Sequence, residues 1–198
     1  MTDPSDMDAE LMLRVKRGDR EAFRELVEKY KQPVMNFVYR SLRDETEAED
    51  LAQIVFLQVY KSRDRYERTA RFSTWIFTIA RNLSLNEIRR RARHTALSLE
   101  ETHTYDDELP ARQYEDKSVP SPGEGALQNE LAQKIDEALS ELPYNQRTVI
   151  LLCRQEELSY EEIAQVLGCS LSAAKSLIHR GREALKKKLK RYLQSGTW

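Results

Sequence analysis

Apolar residues recur along most of this chain at steps of three and four, the spacing that places them on one face of an α-helix. The alternation of apolar and polar residues that would indicate strands is nearly absent. The clearest helical stripe lies between residues 20 and 30 and consists of Ala22, Phe23, Leu26, Val27 and Tyr30. The pattern therefore predicts an all-α fold.

The helical periodicity stops in the middle of the chain. Residues 96–128 hold eight acidic and only two basic residues, together with several prolines and glycines. Low hydrophobicity with an excess of one charge is typical of a flexible linker. The sequence therefore predicts two small helical domains, residues 1–95 and 127–198, joined by a flexible acidic linker over residues 96–126.

Start and stop signals divide the first domain into helices. Gly18 followed by Asp19 should end one helix and cap the next. Pro33 should kink or restart the second helix, because proline removes a helical hydrogen bond. We expect residues 44–47 to form a polar turn, residues 48–61 a largely apolar helix, and residues 72–94 a long helix.

Residues 159–185 have the pattern of a helix-turn-helix. Gly168 can end the short first helix, and Ser170 or Ser172 can cap the second. On that second helix, the residues expected to face inward are Ala174, Leu177, Ile178, Gly181 and Leu185. The opposite, polar and cationic face consists of Ser172, Lys175, Ser176, His179, Arg180 and Arg182. Such a face fits the major groove of duplex DNA; the alternative is a generic αα-hairpin with a solvated basic face.

A second candidate site combines arginines with aromatic residues near the start of the helix at 72–94. Its members are Arg65, Tyr66, Arg68, Arg71, Phe72, Arg81 and Asn82. Aromatic rings stack on bases while cationic groups neutralise phosphates, so this mixture is typical of single-strand binding. The alternative is that the aromatic residues belong to the core and the arginines form a solvated face.

Composition narrows the class of protein. The net charge of −1 conceals two mildly basic blocks: residues 1–95 hold 19 basic and 16 acidic residues, and residues 129–198 hold 11 and 9. We find no apolar run long enough for a membrane helix, no signal-peptide pattern, no metal-ligand spacing around the two cysteines and no nucleophile–base arrangement. We therefore expect a cytoplasmic protein that is not inserted in a membrane, is not an enzyme and uses no metal or cofactor.

Four motifs in order resemble one family, the extracytoplasmic-function (ECF) sigma factors of bacterial RNA polymerase. They lie at residues 18–23 with Tyr30, at residues 48–56, at residues 72–82, and at residues 142–147 together with the helix-turn-helix. The resemblance covers about residues 8–95, as region 2, and residues 127–190, as region 4. It departs from the family's usual pattern in the second helix of the helix-turn-helix, at Ala173, Ala174, Leu177 and Gly181.

The resemblance implies a sigma factor that binds core RNA polymerase and directs initiation at promoter DNA, with an anti-sigma factor as a further partner. Asp50 and Gln53 would face the polymerase clamp, and the arginine and aromatic cluster at residues 65–82 would melt the duplex and hold one strand. The upstream promoter element would be bound by Ser172, Lys175, Ser176, His179 and Arg180.

Two other classes of protein are open to the sequence. A stand-alone regulator could share the helix-turn-helix, although a receiver domain would need strands that the first half of the chain does not show. An adaptor or anti-sigma protein would bind polymerase without DNA, and the basic face of the second helix argues against it. Adding the chain to core polymerase distinguishes the three classes, because only a sigma factor would produce promoter-specific initiation.

Overall fold

The computed structural model describes residues 4–101, 124–155 and 158–194, and these residues form helices. The helices are α1 (Pro4–Lys16), α2 (Arg20–Leu42), α3 (Glu45–Lys61), α4 (Phe72–Glu101), α5 (Glu124–Ser140), α6 (Tyr144–Cys153), α7 (Tyr160–Leu167) and α8 (Leu171–Gln194), with a 3₁₀ turn at Arg63–Arg65. The predicted all-α fold is confirmed. Most of the predicted linker, residues 102–123, lies outside the described residues, whereas its two ends continue α4 and begin α5.

Capping residues explain where the helices of the first unit, α1–α4, begin and end. Gly18 has φ +95° after α1, and the Asp19 side chain accepts hydrogen bonds from the backbone nitrogens of Glu21 and Ala22 at 2.9 and 3.1 Å. α2 continues through Pro33 without restarting. The predicted turn at residues 44–47 is wrong, because Asp44 caps α3 by accepting from Glu47 N at 3.1 Å and the helix starts at once.

A buried carboxylate ties α1 to α2 in the core of this unit. Asp8 is 3% exposed. Its Oδ2 accepts hydrogen bonds from the Tyr30 hydroxyl and the Lys29 ammonium, both at 2.6 Å. A charge with a cationic partner and a second hydrogen bond can remain buried, so the N-terminal helix is held against the core by polar as well as apolar contacts.

The second unit, α5–α8, contains the predicted helix-turn-helix. Ser159 and Glu162 form a capping box at the start of α7. Gly168, with φ +65°, ends α7, and the Ser170 hydroxyl caps α8 by accepting from Ala173 N at 3.2 Å. The turn therefore follows the local signals in the sequence.

Gly181 allows α8 to approach α6 closely. A Cβ atom at this position would lie 3.1 Å from Ile150 Cγ1 and 3.2 Å from the carbonyl oxygen of Gln146. Few real Cβ contacts are so short, because packed interiors have little free space. An alanine, which helix propensity would otherwise favour here, would therefore need its neighbours on α6 to shift by a few tenths of an ångström.

The two helical units pack against each other, a point that the sequence left open. α7 lies against α4, and α5 and α6 lie against α2. Arg40 Nε is 3.0 Å from Asp136 Oδ1, and the Tyr144 hydroxyl donates to the Arg81 carbonyl at 3.3 Å. In the part of the chain that the structure describes, no helix is long and apolar enough to cross a membrane.

Candidate nucleic-acid and protein interfaces

The structure brings the candidate DNA-contacting residues of α8 together on one exposed face. This recognition face consists of Ser172, Lys175, Ser176, His179 and Arg180, all exposed. Beneath it, Ala174 and Ile178 are 0% and 3% exposed and attach α8 to the core. Arg180 Nε lies 3.4 Å from the Ser176 carbonyl oxygen, so the guanidinium stays close to the helix surface. The face thus offers cationic and hydroxyl groups on a supported helix, as major-groove binding requires.

The arginine loop, residues 62–71 between α3 and α4, presents most of the second candidate site. Arg65 and Arg68 are exposed, and Arg71 is half-buried where α4 begins. Along α4, Asn82 is exposed and its Oδ1 accepts a hydrogen bond from Arg81 Nη1 at 3.0 Å. Cationic groups are therefore distributed along the loop and the first turns of the helix that follows it.

Two aromatic members of that site are in the core. Tyr66 and Phe72 are 2% and 1% exposed, and the Tyr66 ring packs against Phe72 and Trp75 with centroid distances of 6.3 and 5.1 Å. Burial, with a smaller contribution from the charge of Asp8, raises the pKa of Tyr66 to about 12. Neither ring is open to a base in this conformation. In this conformation both rings anchor the loop from the core, which is the alternative that the sequence left open.

Part of the arginine run at residues 89–93 is committed to an ion-pair cluster. Glu87 accepts from Arg90 at 2.8 Å and from Arg91 at 2.9 Å, and Arg91 also approaches Asp44 and Glu47 at the start of α3. Hydrogen bonds from both guanidinium groups, chiefly that of Arg90, lower the pKa of Glu87 to about 2. These two arginines therefore connect α4 to α3.

An exposed face of α3 joins polar and apolar groups. Asp50 and Gln53 are exposed, as the sequence predicted, and beside them Ile54 and Leu57 are 44% and 50% exposed. Together these four residues form the docking face. The sequence pattern had not pointed to Ile54 and Leu57 as interface residues. The signal that could have identified them is that α3 has more apolar residues than one buried face requires.

The two cysteines of the chain are both half-buried. Cys153 and Cys169 are both free thiols, and burial raises the pKa of Cys153. A raised pKa disfavours the reactive thiolate. Among the described residues, no group of three or more histidine, cysteine, aspartate or glutamate side chains is arranged to hold a metal ion.

Comparison with known families matches both helical units. The family model of sigma-70 region 2 matches residues 26–94, and that of sigma-70 region 4 matches residues 132–185. The first match contains the docking face, the arginine loop and most of α4. The second contains the helix-turn-helix with the recognition face.

Similar sequences extend over nearly the whole chain. The ECF RNA polymerase sigma factor SigW of Bacillus subtilis is 36% identical over 177 residues, which cover 89% of this chain and 94% of the relative. The RNA polymerase sigma-H factor of Pseudomonas aeruginosa is 33% identical over 189 residues, which cover 96% of this chain and 97% of the relative.

Solved structures share the fold. CnrH, in complex with the cytosolic domain of CnrY, has a TM-score of 0.67 and 23% identity, covering 94% of this chain and 99% of its own. The sigma factor RpoE, in complex with the anti-sigma factor NepR from Bartonella quintana, has a TM-score of 0.64 and 24% identity, covering 85% of this chain and 96% of its own.

Proposed function

The chain belongs to the ECF sigma factors of the sigma-70 family, and we propose on this premise which of its surfaces performs each step of promoter-directed initiation. The observation that carries the proposal is the separation of two exposed faces of different chemistry. One, on α3, is partly apolar and lies in region 2; the other, on α8, is cationic and lies in region 4. A stand-alone helix-turn-helix regulator would have no use for the first.

The docking face binds core RNA polymerase. Ile54 and Leu57 expose apolar surface that a partner helix would cover, and burial of such surface stabilises by about 25 cal/mol per Å². Asp50 and Gln53 lie beside them and supply hydrogen-bonding groups that give the contact its register. The apolar pair contributes buried area, and the hydrogen bonds of the polar pair contribute both affinity and orientation.

The arginine loop and the start of α4 hold the opened strand of promoter DNA. Arg65, Arg68 and Arg71 offer cationic groups for phosphates, and Arg81 with Asn82 offers further donors one helical segment later. Because Tyr66 and Phe72 are buried, they support the loop from beneath. The strand then binds to a cationic surface with little aromatic stacking.

The recognition face on α8 binds the upstream promoter element in duplex form. Arg180 is our candidate base reader, because a planar guanidinium can donate two hydrogen bonds to a guanine edge. Lys175 has the point charge suited to a phosphate. The domain boundaries follow these roles: residues 1–95 bind polymerase and melt DNA, residues 96–126 connect, and residues 127–198 bind the duplex.

Two proteins of similar fold have structures in complex with partner proteins, and one of the partners, NepR, is named an anti-sigma factor. We infer that an anti-sigma factor also binds this chain. The chain itself performs no covalent step, since polymerase catalyses RNA synthesis. It acts in the cytoplasm, where polymerase and promoter DNA are found.

Reconstituted transcription tests this proposal. Purified chain added to core polymerase should produce transcripts with defined start sites from a promoter library. The double variant Asp50→Ala with Gln53→Ala should lower affinity for core polymerase, while Glu49→Ala, an exposed acid on the same helix, should not. Unchanged core affinity in the double variant, with unchanged helicity and melting, would refute the docking face.

A further inference from the structure

Helix α7 of the helix-turn-helix covers one side of the arginine loop in this structure. A pocket of about 350 Å³ separates the two only in part. It is lined by Arg68, Thr69, Ala70 and Arg71 from the loop, by Glu162 and Gln165 from α7, and by Ala9. Region 4 therefore lies directly against the surface that we assign to the opened strand.

The contact is made by the carboxylate of Glu162. Its Oε1 lies 3.4 Å from Arg71 Nε and accepts a hydrogen bond from the Thr74 hydroxyl at 3.4 Å. The Glu162 side chain is only 14% exposed, and Thr74 beneath it is 3% exposed. A strand could not reach Thr74 or this side of Arg71 while α7 stays in place.

The same carboxylate also caps its own helix. Glu162 Oε2 accepts a hydrogen bond from the backbone nitrogen of Ser159 at 2.7 Å, while the Ser159 hydroxyl accepts from Glu162 N at 3.2 Å. A capping box can have either glutamine or glutamate at this position. The cap therefore does not require the negative charge, whereas an ion pair with Arg71 does.

We propose that Glu162 is an internal competitor of the DNA strand: its carboxylate occupies the Arg71–Thr74 part of the strand-binding surface in the free chain. A carboxylate and a phosphate present the same anionic oxygens to a guanidinium, so one can stand in for the other. The recognition face on α8 stays exposed in the same conformation. In this closed conformation, with α7 against the arginine loop, the Arg71–Thr74 part of the strand surface is covered while the recognition face is open. This inference rests on the proposed role of the arginine loop.

Glu162→Gln in the full chain separates the charge from the cap. The probe is a fluorescein-labelled single-stranded DNA of about 12 nucleotides, titrated into the free chain, with the radius of gyration measured by X-ray scattering. Loss of one partly exposed ion pair should tighten strand binding about two- to fivefold and increase the radius of gyration. Glu161→Gln, an exposed acid in the same turn, makes the same change in net charge and should behave as wild type.

Ser159→Ala is the second control, because it weakens the cap and leaves the carboxylate. An equal gain in strand binding from Ser159→Ala or from Glu161→Gln would overturn the inference, as would wild-type behaviour of Glu162→Gln. An increased radius of gyration without tighter strand binding would also overturn it. A separate experiment tests the proposed role of the arginine loop. If that role is wrong, the Arg71→Ala variant bound to polymerase will open promoters as well as wild type, independently of how the free chain binds single strands.

Discussion

Replacing Gly181 with alanine should destabilise the second helical unit, although alanine is the better helix former. Helix propensity alone would gain about 1 kcal/mol. The new methyl group, however, would lie 3.1 Å from Ile150 Cγ1, 3.2 Å from Ile150 Cδ1 and 3.2 Å from the Gln146 carbonyl oxygen. Ile150 can rotate, but the carbonyl belongs to the backbone of α6, so this backbone must shift by a few tenths of an ångström.

The net magnitude follows from these opposing effects. Overpacking a closely packed interface costs about 1–3 kcal/mol, which equals or exceeds the gain of about 1 kcal/mol in helix propensity. We therefore expect Gly181→Ala to lower the free energy of unfolding by about 1 kcal/mol. The measurement is urea denaturation of the full chain followed by circular dichroism.

A double-mutant cycle with Ile150→Val identifies the cause. Valine lacks Cδ1, so one of the three short contacts disappears, and the penalty of the alanine should shrink in that background. Ile150→Val by itself should cost about 0.5–1.5 kcal/mol. If Gly181→Ala instead raises the free energy of unfolding and shows no coupling to Ile150, the close approach of α6 and α8 does not explain the glycine.

Two further predictions concern the ion-pair cluster and the recognition face. Glu87 has a folded-state pKa of about 2, below its ordinary value, so the charged carboxylate stabilises the fold at pH values above that ordinary value, and this stabilisation is lost as the pH falls toward 2. Glu87→Gln should therefore lower the free energy of unfolding by about 1 kcal/mol near neutral pH. In thermal melts, the difference from wild type should narrow as the pH falls from about 5 toward 2. Arg180→Ala should weaken upstream-element binding by roughly 1–3 kcal/mol and relax selectivity at one base pair; unchanged preference at every position in a binding-site selection would remove Arg180 as a base reader.

Local signals explain why the helix-turn-helix could be predicted from the sequence. Gly168 takes the left-handed conformation, and Ser170 caps α8; both depend on residues within one turn of them. Ala174 and Ile178 are buried and Lys175 exposed because helical spacing decides their faces. The recognition face needed no information from the rest of the fold.

The aromatic residues of the arginine loop could not be placed in this way. Tyr66 and Phe72 have the same neighbours in sequence whether they stack on a base or on the core. Their burial depends on distant elements: Tyr30 of α2 packs edge-on against Phe72 with a centroid distance of 5.1 Å, and Lys16 of α1 donates to the Tyr66 carbonyl at 3.2 Å. The burial of Tyr66 and Phe72 is thus determined by tertiary contacts, which their spacing in the sequence does not reveal.

The contact between Glu162 and Arg71 also could not be predicted from the sequence. It affects the order in which the surfaces of the chain become available during initiation. The docking face, with Ile54 and Leu57 exposed, is open in the closed conformation, and so is the recognition face on α8. Among the described residues, α7 covers the surface around Arg71 and Thr74, and Tyr144 of α6 lies against the backbone of Arg81. Under the roles proposed above, a closed chain can engage polymerase and duplex DNA before it can hold a single strand. The Arg71–Thr74 part of the strand surface then becomes available when region 4 leaves region 2.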